Sequence, residues 1–433
     1  MFKIKNTTIC FRLMPIICIM LTACRYGVAE YVDFDACKAG VEPFKAFYET
    51  TSNALEEAPW DMYAKEYSAD YDVTTPEGMG KATSTDLISV VRSLVEFGNC
   101  KRVHQVAGTY MSEDVDGQPI RLSGKVFYPE KGDIKNIILV SHFTIGANFE
   151  CPSEAFSLEG LLSTLGYLVI VPDYIGYGVT SDRIHPYLQA DLTASNVLDM
   201  ALAVVPWMKQ RNIQVKDTSL ILLGYSQGGA TTLHVQRLIE TEPYYRRTDG
   251  TPLFRIKRTY CGAGPYDVAQ TYDYSIKLDK TGIPCAVPMI IQGMSVGMGE
   301  PLDMAYFFKE PLLSNYQEWL NSKKYTVKQI NLLINVNKLS DILTEEGTNK
   351  SNDETQRLYR QLANNSISDY YVPSSPMYMF HSMDDQTVPF INSQKLQVQF
   401  DTAGCKDIVY DFDYYGDHTS GMLKFLIKCM QQL

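Results

Sequence analysis

The middle of the chain alternates short apolar runs with stretches of helical periodicity. Three of the runs are bounded by turn residues, as buried strands are: NIILV (136–140), YLVIV (167–171) and SLILL (219–223). In the segment 192–210, apolar residues such as Val197, Met200 and Val204 recur at helical spacing. Apolar strands that alternate with amphipathic helices predict a mostly parallel sheet with helices on both faces, an α/β fold.

The flanking regions have different patterns. Residues 30–100 favour helices, with an apolar stripe from Leu87 to Val95, whereas alternation from Val103 and an Asp116-Gly117 turn predict a β-hairpin. Helical segments without the strand pattern fill 268–368, and strands return at PMYMFHS (376–382). We therefore expect a sheet domain over 101–267 and 369–433, interrupted by a helical cap over 268–368.

The N-terminus has the pattern of an export signal. Lys3, Lys5 and Arg12 precede a short apolar stretch at 13–21, and LTAC at 21–24 resembles the bacterial lipobox. We expect residues 1–23 to be removed and Cys24 to be lipidated, with 24–100 forming a tether and helical extension. The lipid would hold the protein on a membrane of the bacterial cell envelope, on the periplasmic or outer-membrane face. An ordinary signal peptide cut near 27–29 is the alternative.

Composition narrows the classes of partner and cofactor. The formal charge of −11 and the lack of any basic run argue against a nucleic-acid partner. Of ten cysteines, seven follow Cys24 once the leader is removed, which allows disulfides but leaves at least one thiol unpaired. No C-x-x-C occurs, so the simplest zinc and thioredoxin sites are excluded. We expect neither a metal nor an organic cofactor.

Ser226 is the candidate nucleophile. It lies in GYSQG (224–228), a G-x-S-x-G directly between the run that ends at Leu223 and a helix predicted to begin near Gly229. That strand–turn–helix context is typical of a nucleophile elbow, a sharp turn whose glycines allow close packing around a strained serine. The alternative is a glycine-rich turn without an exposed hydroxyl.

A serine hydroxyl needs a base, and the base needs a group that fixes its tautomer. On folds of this kind the chain order is serine, acid, histidine. His234 lies about two helical turns after the elbow and is expected to face away from it. His381 belongs to the end of a strand and is expected to be structural. His418, in the loop GDHTSG before the last helix, is therefore the predicted base.

The acid must come from a strand end between the serine and the base. Asp384 and Asp385 follow the strand PMYMFHS, at the carboxyl edge where catalytic groups of α/β sheets gather. Both remain candidates on position alone. Asp417, beside the base, is expected to be a loop carboxylate.

An oxyanion needs two N–H donors. The main-chain amide of Gln227 is expected to supply one donor, and that of Phe143 or Thr144, in the loop SHFTIGA (141–147), the other. His142 in the same loop is expected either to line the site or to stabilise the turn.

Several motifs together resemble the secretory lipases of the lipase A type, in the α/β-hydrolase superfamily. The similar pieces, spread over 103–433, are GQPIRLSGKVFYP (117–129), VPDYIGYG (171–178), HPYL (185–188), GYSQGG (224–229), GAGPYDV (262–268) and the acid and base loops. The resemblance implies an α/β-hydrolase fold, hydrolysis of carboxylic esters and a cap over the acyl site. It favours Asp385 as the acid, because DQTVP (385–389) is similar to the D-x-x-V-P of many α/β-hydrolases.

The leading hypothesis is a serine esterase or lipase that acts on a small-molecule or lipid ester through an acyl-enzyme. A serine peptidase of the same fold, with Glu300 or Asp303 binding a peptide amine, is one alternative. A binding lipoprotein that has lost activity is another.

Overall fold

A mixed nine-stranded sheet runs through the part of the chain that the structure describes. The structure is a computed structural model that describes residues 42–60, 84–98, 100–247, 250–280, 282–367, 369 and 371–433. The strands are β1 (Lys45–Asn53), β2 (Arg102–Glu113), β3 (Pro119–Pro129), β4 (Ile137–Ser141), β5 (Leu168–Pro172), β6 (Leu220–Tyr225), β7 (Ile256–Gly262), β8 (Met377–Ser382) and β9 (Ile408–Asp413). Their order in the sheet is β1-β2-β3-β5-β4-β6-β7-β8-β9.

The pairing of neighbouring strands changes once across the sheet, from antiparallel to parallel. The pairs β1–β2, β2–β3 and β3–β5 are antiparallel, whereas every pair from β5–β4 through β8–β9 is parallel. The predicted hairpin is confirmed, since β2 and β3 pair from Val103↔Pro129 to Glu113↔Pro119 around Gly117, whose φ is +69°. The carboxyl ends of β4, β6, β7, β8 and β9 therefore share one edge of the sheet.

Thirteen α-helices are present in the described residues. They are α1 (Ala54–Glu57), α2 (Ser84–Glu96), α3 (Ala190–Gln210), α4 (Gln227–Thr241), α5 (Val268–Leu278), α6 (Ala286–Ser295), α7 (Met304–Phe307), α8 (Leu312–Tyr316), α9 (Val327–Ile334), α10 (Glu345–Thr348), α11 (Asp353–Asn364), α12 (Ile391–Thr402) and α13 (His418–Gln432). A 3₁₀ helix spans Leu158–Leu165, and one π-helical turn, Gln317–Asn321, follows α8.

Helices cover both faces of the sheet, as the apolar runs predict. In β4, Ile137 and Leu139 belong to one hydrophobic core together with α3, whereas Ile138 and Val140 belong to another together with α2 and α13. Successive strand residues point to opposite faces, so a continuous apolar run supplies both cores. The predicted α/β-hydrolase fold is confirmed.

One part of the N-terminal extension differs from the prediction. Residues 30–100 were expected to be mainly helical, yet Lys45–Asn53 forms β1, an edge strand paired with β2. Phe47 and Tyr48 are both at least half-exposed on this edge, so the segment lacks the alternation that identifies a strand with one buried face. The predicted leader and Cys24 lie outside the described residues.

The segment between β7 and β8 forms a separate helical layer. It contains α5 to α11, and its described residues add no strand to the sheet. Phe307, Phe308 and Leu312 are fully buried in a hydrophobic core that belongs to this cap. The six cysteines within the described residues are free thiols. No helix in the described ranges is long and apolar enough to cross a membrane.

Candidate active site

Ser226 occupies a strained turn between β6 and α4. Its φ of 58° and ψ of −126° lie outside the regions that non-glycine residues normally adopt, and its N–H donates to the Gly262 carbonyl at 2.9 Å. The neighbouring glycines permit this turn. A Cβ atom on Gly228 would lie 1.9 Å from the Ser141 carbonyl oxygen, and one on Gly224 would lie 2.2 Å from that of Gly228.

A continuous hydrogen-bonded line joins three strand ends. His418 Nε2 lies 2.8 Å from Ser226 Oγ, and His418 Nδ1 lies 2.5 Å from Asp385 Oδ2. All three residues are at least nine-tenths buried. The Tyr225 hydroxyl donates to the main-chain carbonyl of His418 at 2.9 Å, which ties the start of α13 to the elbow. The structure thus brings together the three predicted catalytic side chains.

Asp385 is held as a charged hydrogen-bond acceptor. Its Oδ1 accepts the main-chain N–H groups of Thr387 and Val388, both at 2.9 Å. Burial by itself would raise the pKa of Asp385, but the charge of His418, its hydrogen bond and the nearby His381 ring outweigh it and hold the pKa well below its usual value. Asp384, the other candidate acid, is exposed to solvent.

His381 has a closer relation to the acid than the sequence indicates. Its Nε2 lies 3.6 Å from Asp385 Oδ2 and donates to the Val388 carbonyl at 3.0 Å, while its Nδ1 pairs with the Ser393 hydroxyl at 2.7 Å. It therefore supports the loop that presents Asp385. Asp417 has a local role, because its side chain caps α13 by accepting the Ser420 N–H at 2.8 Å.

The elbow packs against the loop expected to complete the oxyanion hole. A Cβ atom on Gly228 would also lie 2.8 Å from the His142 carbonyl oxygen, so the first turn of α4 touches the end of β4. His142 Nδ1 pairs with the Phe143 carbonyl at 2.6 Å, and burial lowers the pKa of His142 to about 4. A neutral His142 therefore stabilises the turn that carries Phe143 and Thr144.

Two further side chains contact the predicted oxyanion residues. His185 Nε2 accepts a hydrogen bond from the side-chain amide of Gln227 at 2.8 Å, and the Tyr187 hydroxyl lies 2.8 Å from Thr144 Oγ1. Burial, followed by the charge of Lys323, lowers the pKa of His185 to about 3, which keeps the ring neutral. Both residues belong to HPYL, the motif that the sequence shows only as part of a resemblance.

Other polar residues weighed from the sequence have local partners. His234 Nδ1 pairs with Asp191 at 2.5 Å. Asp303 caps α7, and the Glu300 carbonyl accepts from Arg357. Within the described ranges, no group of three or more histidine, cysteine, aspartate or glutamate residues is arranged to hold a metal ion.

Known proteins share this architecture. The chain superposes on a rice cell wall degrading esterase, LipA, from Xanthomonas oryzae with a TM-score of 0.66 and 20% identity over 79% of this chain and 92% of that one. A putative hydrolase from Legionella pneumophila superposes with a TM-score of 0.68 and 19% identity, over 79% of this chain and 94% of that one. Candida antarctica lipase A superposes with a TM-score of 0.54 and 16% identity, over 75% of this chain and 74% of that one. At these identities the likeness establishes the fold.

The family assignment comes from the sequence of the sheet domain and cap. No curated protein matches this chain. The family described as secretory lipase matches residues 147–425, which include the elbow, the cap and the acid and base loops. The chain therefore belongs to the secretory lipases, an exported family of ester-hydrolysing α/β-hydrolases.

Proposed function

We propose that this protein hydrolyses carboxylic esters with Ser226 as nucleophile, His418 as general base and acid, and Asp385 as the group that orients His418. The observation that carries the proposal is the hydrogen-bonded line from Asp385 through His418 to Ser226, which lies on a strained elbow between β6 and α4. A serine hydroxyl becomes a useful nucleophile when a positioned imidazole accepts its proton.

The first half of the reaction forms an acyl-enzyme. Ser226 Oγ attacks the ester carbonyl while its proton moves to His418 Nε2. The tetrahedral oxyanion accepts hydrogen bonds from the Gln227 N–H and from that of Phe143 or Thr144. Collapse of this intermediate breaks the bond to the alcohol oxygen, which takes the proton from His418 Nε2 as the alcohol departs.

The second half releases the acid. His418 Nε2 accepts a proton from water as the water oxygen attacks the acyl carbonyl, and then returns that proton to Ser226 Oγ. Throughout, Asp385 accepts from His418 Nδ1 and stabilises the imidazolium that forms in each half. No metal or organic cofactor takes part in this scheme.

Replacement of the nucleophile tests the proposal directly. Ser226→Ala should lower kcat/KM for a short 4-nitrophenyl ester by about 10⁴-fold or more, because the remaining groups cannot form an acyl-enzyme. A fluorophosphonate probe should label wild-type protein and leave Ser226→Ala unlabelled.

Ser351→Ala, at an exposed position in the cap, is the matched control and should retain wild-type activity and labelling. A folded wild-type protein that neither hydrolyses the ester nor takes the label would favour the inactive binding lipoprotein. Faster turnover of aminoacyl amides than of esters would favour the peptidase.

We further propose that a lipid on Cys24 anchors the enzyme to a membrane of the bacterial cell envelope. Family membership implies export, and the lipobox-like LTAC at 21–24 supports the anchor. A lipid anchor at Cys24 would hold the enzyme at the membrane surface, near esters located there.

A further inference from the structure

Lys323 is a buried cation where the cap meets the sheet domain. It follows Ser322, the residue that caps the π-helical turn Gln317–Asn321. Its φ of 59° is uncommon for a residue with a long side chain. Only 7% of its surface is exposed. Lysine is rarely this buried without a partner.

The partners of the other buried lysines show what is unusual about Lys323. Among the described residues, Lys125 donates to the Ala155 carbonyl at 2.7 Å and Lys424 pairs with the Tyr415 carbonyl at 2.5 Å. No hydrogen bond or salt bridge to a described residue satisfies Lys323 Nζ, which lies 4.6 Å from the centre of the Tyr177 ring. A cation–π contact offsets only part of the cost of dehydrating an ammonium group.

The ammonium group nevertheless keeps some access to solvent. Nζ is not among the fully enclosed polar atoms without a partner, so it retains some solvent-accessible surface. Burial lowers the pKa of Lys323 to about 8, which leaves the side chain mostly protonated near neutral pH.

Lys323 lies beside the machinery proposed for ester hydrolysis. Its carbonyl accepts the Asn148 N–H at 2.8 Å, at the end of the loop that carries Phe143 and Thr144. The Tyr177 ring beneath its ammonium meets the His185 ring edge-on at 5.3 Å, and the Tyr177 hydroxyl donates to the Ile145 carbonyl at 2.6 Å.

The same contacts continue to the elbow. His185 accepts from the Gln227 side chain, next to Ser226, and the charge of Lys323 contributes to the lowered pKa of His185. The ammonium group is thus linked through two aromatic rings to the residue that follows the nucleophile.

We propose that Lys323 binds a carboxylate on the substrate, so that the preferred ester carries a negative charge on its acyl or alcohol part. This inference rests on the proposed ester hydrolysis. An unpaired buried cation gains most from a ligand that supplies the missing anion. A single ammonium matches one negative charge, which favours a carboxylate over a phosphate dianion.

Two pairs of substrates test the preference and locate the charge. For the acyl side, mono-4-nitrophenyl adipate is compared with 4-nitrophenyl adipamate, in which a neutral amide replaces the carboxylate. For the alcohol side, 4-acetoxybenzoate is compared with 4-acetoxybenzamide. In at least one pair, the wild-type kcat/KM should be about tenfold or more higher for the charged ester, as for a charge-assisted hydrogen bond.

Variants separate a specificity role from a structural one. Lys323→Met should lower the ratio of kcat/KM for the charged ester to kcat/KM for its neutral partner by about 10- to 100-fold. The value of kcat/KM for the neutral esters should change by less than about threefold. Lys323→Arg keeps the charge and should retain most of the preference. Lys323→Gln provides a second neutral variant should the methionine variant fail to fold.

The outcomes distinguish this inference from the proposal on which it rests. A wild-type enzyme that hydrolyses the neutral esters as well as the charged ones in both pairs would overturn the role of Lys323 and leave ester hydrolysis standing. The same conclusion would follow if folded Lys323→Met and Lys323→Gln both kept the wild-type ratio of kcat/KM between charged and neutral esters. If Ser226→Ala hydrolysed all four esters as fast as the wild type, both proposals would be overturned.

Discussion

At the scale of single residues, burial separates side chains that look equivalent in the sequence. Asp384 and Asp385 are neighbours in one loop, but Asp385 is 4% exposed and contacts His418, whereas Asp384 faces solvent. The two aspartates form a natural pair of test and control.

Asp385→Asn should reduce kcat for a short ester by about 10⁴-fold, because the amide cannot hold His418 in the tautomer that accepts the Ser226 proton. Asp384→Asn should leave kcat within about twofold of the wild-type value, since the exposed carboxylate makes no contact with the line of catalytic residues. Steady-state kinetics on both variants check the assignment. Equal losses in the two variants would argue against Asp385 as the acid.

The depressed pKa of Asp385 also has a consequence for stability. Its charged form contributes to the free energy of unfolding above the ordinary pKa of aspartate, and this contribution is lost as the pH falls towards the lower folded-state value. The difference in unfolding free energy between wild type and Asp385→Asn should therefore narrow below about pH 4 in denaturant titrations.

At the scale of elements, the site depends on how closely the first turn of α4 approaches β4. Gly228 touches the Ser141 carbonyl, and a backbone oxygen cannot move aside as a flexible side chain can. The sequence predicts the strand, turn and helix individually, because each has a local pattern. The distance between α4 and β4 depends on the packed sheet.

Gly228→Ala should destabilise the protein by about 3 kcal/mol or more, because the added methyl group would overlap the Ser141 carbonyl oxygen and separate α4 from β4. Gly299→Ala is the control, since a Cβ there meets nothing within 4 Å, and should change stability by less than about 1 kcal/mol. Urea unfolding of both variants measures the effect. A Gly228→Ala protein as stable as wild type would contradict the close contact.

At the scale of the whole molecule, a cap with its own hydrophobic core packs against the sheet domain. The cap segment around Tyr325 lies against Gly146, where a Cβ would come 2.5 Å from the Tyr325 carbonyl oxygen. The cap therefore packs on the loop that carries Phe143 and Thr144, and it can shape substrate choice without contributing to the Asp385–His418–Ser226 line.

The proposed anchor belongs to this scale as well. Cys24→Ser should move the enzyme from the membrane fraction of a bacterial host to the soluble fraction and abolish incorporation of an alkyne fatty acid, because position 24 then has no thiol to receive the lipid. Cys37→Ser should leave both unchanged. Lipid labelling of Cys24→Ser at the wild-type level would rule out the anchor site.

The sequence by itself determined the features that depend on local pattern and chain order. Continuous apolar runs predicted the parallel strands, G-x-S-x-G between a strand and a helix predicted the elbow, and the order serine, acid, histidine selected His418. Only the tertiary structure decided that Lys45–Asn53 pairs as an edge strand, that Asp385 contacts His418, and that His185 and Lys323 lie beside the elbow. These features depend on contacts between residues far apart in the chain, and local sequence periodicity does not indicate such contacts.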